Sequence, residues 1–187
     1  MVIILDIRSH DMSILRRLGG ALRDISTQKR LNESVALLKD VKVYNAHGDS
    51  ISTGGWRTRI LNTLEGDTSF VSTSGNMGTG QNNVPFTLKK GIYYIATHVP
   101  FYQTNNAQHR LYNVTTSSQV VLGTSIYSYS SESNDINSES HTIVDINGPN
   151  EYRIEVKTEA GGRTGTSFYT DASSLSVYST VRIFKLK

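Results

Sequence analysis

Along the first forty residues apolar side chains recur at helical spacing, and from about Val35 onward they recur at strand spacing. Between Asp11 and Gln28, Leu15, Leu18, Leu22 and Ile25 repeat every three or four positions, with Arg16, Arg17, Arg23 and Asp24 between them. That pattern predicts an amphipathic helix. Gly19-Gly20 interrupts it, each glycine costing about 1 kcal/mol relative to alanine, so the segment is marginal alone in water and is expected to pack on its own body or on a neighbour. Beyond it, Val41–Tyr44, Trp56–Leu61, Thr68–Ser72, Phe86–Leu88, Gly91–Thr97, His109–Val114, Ser118–Leu122, Thr142–Ile146, Tyr152–Lys157 and Leu175–Leu186 are short runs rich in β-branched and aromatic residues. Gly48, Gly54-Gly55 and Gly66-Asp67 punctuate them, and a glycine-rich loop spans Ser74–Gly80. The Ser-rich stretch Tyr127–Ser140 reads as a long loop. Tyr152, Ile154 and Val156 alternate with Arg153, Glu155 and Lys157, one face buried and one wet. About ten strands with no helical pattern between them predict an all-β fold, an antiparallel jelly-roll sandwich preceded by a partly helical N-terminal arm. The expected division is an anchoring arm at 1–40 and a jelly-roll domain at 41–187.

Composition sharpens this picture. The chain has 187 residues, enough for one domain with a tail. Charged residues are only 19%, and Ser, Thr and Asn supply the missing polarity, which suits a β-rich surface protein. The absence of cysteine excludes disulfides, thiolate metal sites and a cysteine nucleophile. The net charge of +3 has one source. Residues 1–31 hold six basic groups (Arg8, Arg16, Arg17, Arg23, Lys29, Arg30) against three acidic ones (Asp6, Asp11, Asp24), and the rest of the chain balances. Such sparse charge suits nucleic acid poorly, because phosphate neutralisation favours dense clusters. The apolar stripe is too short and broken for a strong membrane anchor. Docking on a protein surface, with leucines buried and arginines at the rim, fits best; a helix folded back on its own sandwich is the plainer alternative. The opening Met-Val-Ile-Ile-Leu lacks a basic n-region and a small-residue cleavage site, so the chain is expected to be mature from Met1 and not exported by a signal peptide.

Catalytic chemistry finds no anchor. The five histidines (His10, His47, His98, His109, His141) show no tight ligand spacing and are expected to be structural or solvent-exposed. Glu65, Asp67, Glu132, Asp135, Glu139, Asp145 and Asp171 are the carboxylates from which a glycosidase pair would have to come, and most sit at turn positions. The 74–80 glycine loop lacks the Gly-Lys-Ser/Thr of a phosphate cradle, and no G-x-S-x-G elbow exists. No catalytic residue, cofactor or metal ion is expected. Tyr93, Tyr112, Tyr152 and Tyr178 sit at alternating strand positions, which favours core or subunit-interface packing.

An ordered series of segments carries a family resemblance. It comprises Trp56-Arg57-Thr58-Arg59-Ile60-Leu61-Asn62-Thr63, Phe86-Thr87-Leu88 leading into Gly91-Ile92-Tyr93, and His98-Val99-Pro100. After these come His109-Arg110-Leu111-Tyr112-Asn113-Val114-Thr115, Gly123-Thr124-Ser125 and the closing Thr180-Val181-Arg182-Ile183-Phe184-Lys185. From about residue 35 to the C-terminus, some four fifths of its length, the chain resembles the C1q/TNF-like jelly-roll modules of tailed-phage virion proteins and prophage-derived bacterial proteins. The resemblance implies a homotrimer with aromatic and β-branched residues at the seam, for which Tyr93, Tyr152, Ile154, Tyr178 and Phe184 are the candidates. It also implies a non-enzymatic role on a virion. With only a short arm ahead of the jelly roll, the expectation is a capsid decoration (cement) protein on the outer capsid surface. Arg8, Arg16, Arg17, Leu18, Leu22, Arg23, Lys29 and Arg30 would then dock on the major capsid protein, with no direct nucleic-acid or membrane contact. The alternative is a receptor- or glycan-binding tip of a tail or head fibre, in which the 127–140 loop and nearby tyrosines meet a host surface glycan.

Overall fold

In the computed structural model the chain divides into two units, Met1–Ser34 and Val35–Lys187. Residues 34–43, 46–74, 85–129, 135–165 and 175–187 are described. The helix expected within 11–28 and all eight expected capsid-docking residues lie outside them.

The second unit is built from strands alone among its described residues. In chain order they are β1 (Val35–Lys42), β2 (Ser50–Ile51), β3 (Arg57–Thr58), β4 (Thr63–Gly66), β5 (Val71–Thr73), β6 (Phe86–Leu88) and β7 (Gly91–Tyr102). There follow β8 (Asn105–Asn113), β9 (Ser118–Leu122), β10 (Ile126–Ser128), β11 (Asp135–Ile146), β12 (Asn150–Thr158), β13 (Gly162–Arg163) and β14 (Ser176–Lys185). Every pairing is antiparallel.

In the first sheet β7 lies between β11 and β14, β14 pairs with β1, and β1 with β4, while β13 and β2 extend the sheet at the Tyr102 end of β7. In the second sheet β8 lies between β12 and the β9 and β10 pair, and β12 pairs on its other side with β6 and β3, β5 flanking β6. The chain therefore passes from sheet to sheet at β2–β3, β3–β4, β4–β5, β6–β7, β7–β8, β10–β11, β11–β12 and β12–β13. This repeated crossing is the path of a jelly roll.

Alternation along the long strands fills the space between the sheets. β7 turns Tyr93, Ile95, Val99 and Phe101 inward, β14 adds Val181 and Ile183, and β1 adds Ala36 and Leu38. Phe86, Leu88, Leu111, Tyr152, Ile154 and Val156 of the second sheet join the same core. Tyr152 stacks on Phe86 with ring centroids 5.8 Å apart, and Phe70 meets Tyr93 at 5.5 Å. Such pairs are worth about 0.5–1.5 kcal/mol beyond the area they bury. The Tyr93 hydroxyl remains satisfied by donating to the Lys89 carbonyl at 3.0 Å.

Three expectations change. Tyr93, Tyr152, Ile154 and Tyr178 are buried within one chain, so they cannot line a seam between chains; alternation identified strand faces that are shielded, and the opposite sheet, not a neighbour, does the shielding. Of the five candidates only Phe184 lies half-buried on an outward face. Residues 35–40 belong to the sandwich rather than to the arm, since β1 pairs with both β14 and β4 and buries Ala36, Leu38 and Asp40. The stretch read as a loop, Tyr127–Ser140, begins inside the strand Ile126–Ser128, and from Asp135 onward it forms the first half of β11, a twelve-residue strand paired with β7 along its whole length. Its inward residues there are Ser138 and Ser140, so no apolar alternation announced it.

Candidate functional site

The outward face of the first sheet carries an apolar row that crosses four strands. Strand register places Ile143 opposite Tyr94, Tyr94 opposite Phe184, and Phe184 opposite Val35. The rings of Tyr94 and Phe184 lie 5.8 Å apart, and Ile143 is 64% exposed. One step along the strands the row reads His141, Ala96, Arg182 and Leu37, and the next reads Glu139, His98, Thr180 and Lys39. His141 stacks on Tyr94 and its Nδ1 lies 2.9 Å from the Tyr94 hydroxyl, while His98 Nδ1 is 3.2 Å from Glu139 Oε1. A hollow of about 270 Å3 lined by Ala96, His98, His141, Val177 and Arg182 among others opens on this face. A large apolar row with a charged margin is the composition of a protein–protein contact surface.

The outward face of the second sheet is occupied differently. Arg110 lies between two rings, 4.3 Å from the Trp56 centroid and 4.7 Å from that of Tyr112, and the Arg153 guanidinium is 5.1 Å from Tyr112. Both arginines bind Glu155: Arg110 Nε and Nη2 reach Oε2 at 2.6 Å, while Arg153 Nε and Nη2 reach Oε1 at 2.7 and 2.5 Å. The expected wet face of β12 is therefore only partly wet, because Glu155 is 2% exposed beneath these two cations. Each carboxylate oxygen has its own guanidinium, so the group is satisfied and planar. Trp56 and Tyr112 have ring faces committed to arginine. The arrangement ties β8 to β12.

The inside of the sandwich holds a serine–histidine cluster that resembles a hydrolase dyad in composition alone. His109 is fully buried; its Nδ1 lies 2.7 Å from Ser138 Oγ and its Nε2 2.6 Å from Thr97 Oγ1, with Ser140 Oγ 2.5 Å from Thr97 Oγ1. Ser138 commits its one hydroxyl proton to the Thr124 carbonyl at 2.6 Å. Nδ1 therefore carries the proton and donates to Ser138, and Nε2 accepts from Thr97. No substrate can enter. A Cβ at Gly123 would stand 2.1 Å from the ring carbon Cε1, so only glycine permits the imidazole to sit there.

Burial holds the His109 pKa down at about 4, against the usual 6.5, with the neighbouring His98 charge pushing the same way and Glu139 opposing. The unfolded chain binds a proton at ordinary imidazole pKa while the folded chain stays neutral until about pH 4. Stability from this group is full above pH 6.5 and falls as the pH drops toward 4, by about 3 kcal/mol in all. Urea unfolding of the native protein and of His109→Gln between pH 7 and 4 should show a shallower pH slope for the variant. Equal slopes would overturn the buried, neutral state.

A second buried polar group lies on β1. Arg59 Nη2 meets Asp40 Oδ2 at 2.6 Å, Lys42 Nζ is 3.3 Å from Asp40 Oδ1 and 3.0 Å from Asp49 Oδ1, and Arg59 Nε donates to Ser179 Oγ at 3.2 Å. Loss of water raises the Asp40 pKa more than Arg59 and Lys42 lower it, with Asp49 adding to the rise. Neither Asp40 nor Asp49 was a candidate in the sequence, where a lone acid within Leu-Leu-Lys-Asp-Val carries no signal of burial. Of the carboxylates considered there, Glu139 pairs with His98, Glu65 Oε1 accepts from Lys39 at 2.5 Å, and the Asp67 side chain accepts from the Ser69 amide. Among the described residues no three His, Cys, Asp or Glu side chains form a group able to hold a metal ion, and no helix is long and apolar enough to cross a membrane.

No protein-family model matches the chain, and no curated protein matches it. Among solved structures it is similar to the globular domain of zebrafish complement 1qA protein, at 10% identity over 81% of this chain and 97% of that one, with a TM-score of 0.48. It is also similar to the Eiger TNF of S. frugiperda, at 11% identity over 82% and 92% of the two chains (TM-score 0.46). Murine APRIL is similar at 9% identity over 81% and 99% (TM-score 0.43). The strand order described above is what makes Val35–Lys187 a two-sheet jelly roll.

Proposed function

We propose that the protein is a non-enzymatic, homotrimeric virion protein that decorates the outer surface of a phage capsid, docking on the major capsid protein through residues 1–31. The observation that carries the trimer is the Ile143–Tyr94–Phe184–Val35 row, an apolar strip that a lone chain would leave in water. It takes the place of the buried tyrosines as the seam. The docking role is supported by the charge pattern. All excess positive charge is confined to residues 1–31, where arginines flank Leu15, Leu18 and Leu22, while the remainder of the chain is balanced. The virion setting is supported by the ordered segments from Trp56 to Lys185 that resemble phage jelly-roll modules.

The test is occupancy on particles. Capsids mixed with chain lacking residues 1–31 should retain less than a tenth of the copies bound by the full chain, with the truncated protein keeping the same number of chains per oligomer in solution. Full occupancy without residues 1–31 would overturn the docking role. Binding of the full chain in only a few copies per particle would favour a fibre tip over a decoration protein.

A further inference from the structure

One hollow on the described surface belongs to neither contact face discussed so far. It lies where β8, β10 and the end of β12 meet, has a volume of about 450 Å3, and is lined by Asn106, Gln108, Ile126, Lys157, Thr158 and Glu159 among others. That volume falls within the roughly 300–1,000 Å3 of small-ligand sites. We propose that this groove binds a neutral oligosaccharide. The inference rests on the groove and the tyrosines beside it and holds whichever virion role the protein plays.

Three observations support it. The first is an aromatic edge. Strand register sets Tyr127 opposite Asn106, which lines the groove. Tyr127 and the neighbouring Tyr129 are each 50% exposed, with ring centroids 6.0 Å apart and planes tilted by 55°. The Tyr127 ring, carried on a strand paired with β8, presents a flat apolar face suited to the C–H face of a pyranose, and unlike Trp56 and Tyr112 it is not covered by arginine.

The second is unspent hydrogen-bonding capacity. Asn106 Nδ2 donates to Glu159 Oε2 at 2.6 Å and Gln108 Nε2 to the Gly123 carbonyl at 2.8 Å, which fixes both amides. The two amide oxygens and the Lys157 ammonium are left without side-chain partners among the described residues.

The third is charge. Lys157 and Glu159 balance one another, so the groove offers no net attraction to phosphate, sulfate or an acidic peptide. Fixed amides, one acid, one ammonium and flanking tyrosines together match a ligand dense in hydroxyl groups and free of charge.

Isothermal titration of the full-length protein with chitotetraose, cellotetraose and lacto-N-tetraose in turn tests the assignment. At least one should bind once per chain. Its affinity should fall at least tenfold in Tyr127→Ala and in Asn106→Ala and stay within twofold in Trp56→Ala, whose ring belongs to the other patch. Tyr127 is half exposed, so its variant should keep the native melting temperature; Lys157→Ala serves as a second groove variant. Raising sodium chloride from about 0.05 to 0.5 M should leave binding unchanged, since no charge is neutralised. Absence of binding by all three sugars at about 10 mM would overturn the proposal, as would binding abolished by salt, or loss in Trp56→Ala with retention in Tyr127→Ala.

Discussion

Replacing Ile143 by aspartate is expected to split the protein from a species of about 62 kDa, three chains of 20.7 kDa, into single chains. Ile143 begins the apolar row of the first sheet and is largely exposed in one chain, so its replacement leaves the core of that chain untouched. In the proposed trimer the new carboxylate would be drawn out of water without a cation: its register partner is Tyr94, and its strand neighbours on that face are His141 and Asp145. An uncompensated buried charge costs several kcal/mol at each of three equivalent contacts, enough to abolish assembly. Phe184→Asp, at the middle of the row, should act in the same direction. Light scattering coupled to gel filtration reads the outcome, and unchanged far-ultraviolet circular dichroism shows that the sandwich persists. A variant that still elutes as a trimer, or a native protein that is monomeric at micromolar concentration, would remove this face as the seam.

Replacing Arg59 by leucine is expected to cost about 3–5 kcal/mol of folding stability, the typical penalty for breaking a buried ion pair by removing one partner. Asp40 has no exposure, and with Arg59 gone its remaining cation is Lys42, 3.3 Å from the other oxygen. Its carboxyl group, already held above the ordinary range by loss of water, would be pushed higher. A carboxyl whose folded pKa exceeds its unfolded one favours the folded state at low pH, and that contribution is lost as pH rises through the folded value. The penalty of Arg59→Leu should therefore shrink on acidification from pH 7 toward 5. Because His109 is present in both proteins, its opposite pH trend cancels in the difference. Urea unfolding of the two proteins at both pH values measures this. The double variant Asp40→Leu with Arg59→Leu should recover much of the loss, since two apolar groups need no partner. A double variant as unstable as the single one would show that the cost is packing and not the stranded charge.

The outward row at Tyr94 and Phe184 and the inward row at Tyr93 and Ile183 differ by one residue of register, and that difference separates what the chain states from what the fold decides. Period-two alternation in Gly91–Thr97, Tyr152–Lys157 and the C-terminal run was enough to predict strands and an all-β sandwich, because a half-buried strand must alternate whatever its neighbours are. Alternation does not say which face meets the opposite sheet, and tyrosine suits either. Tyr93 and Tyr152 thus looked like seam residues until the opposing sheet covered them. Length was also hidden where hydrogen bonds replace apolar contact: Ser138 and Ser140 face inward on β11 because His109 of β8 and Thr97 of β7 bind them. These residues lie far apart in the chain. The same holds for Asp40 with Arg59, for Glu155 with Arg110, and for the groove that gathers Asn106, Ile126 and Lys157.

By itself, then, the sequence determined the local terms: strand periodicity, turn glycines, a charge excess confined to residues 1–31, and the lack of thiol or phosphate-binding motifs. Only the tertiary structure decided the pairwise ones. Which sheet face is shielded, which charge finds its counter-ion and which hydroxyl is left without a partner depend on residues brought together by sheet pairing, and sequence separation carries no information about those distances.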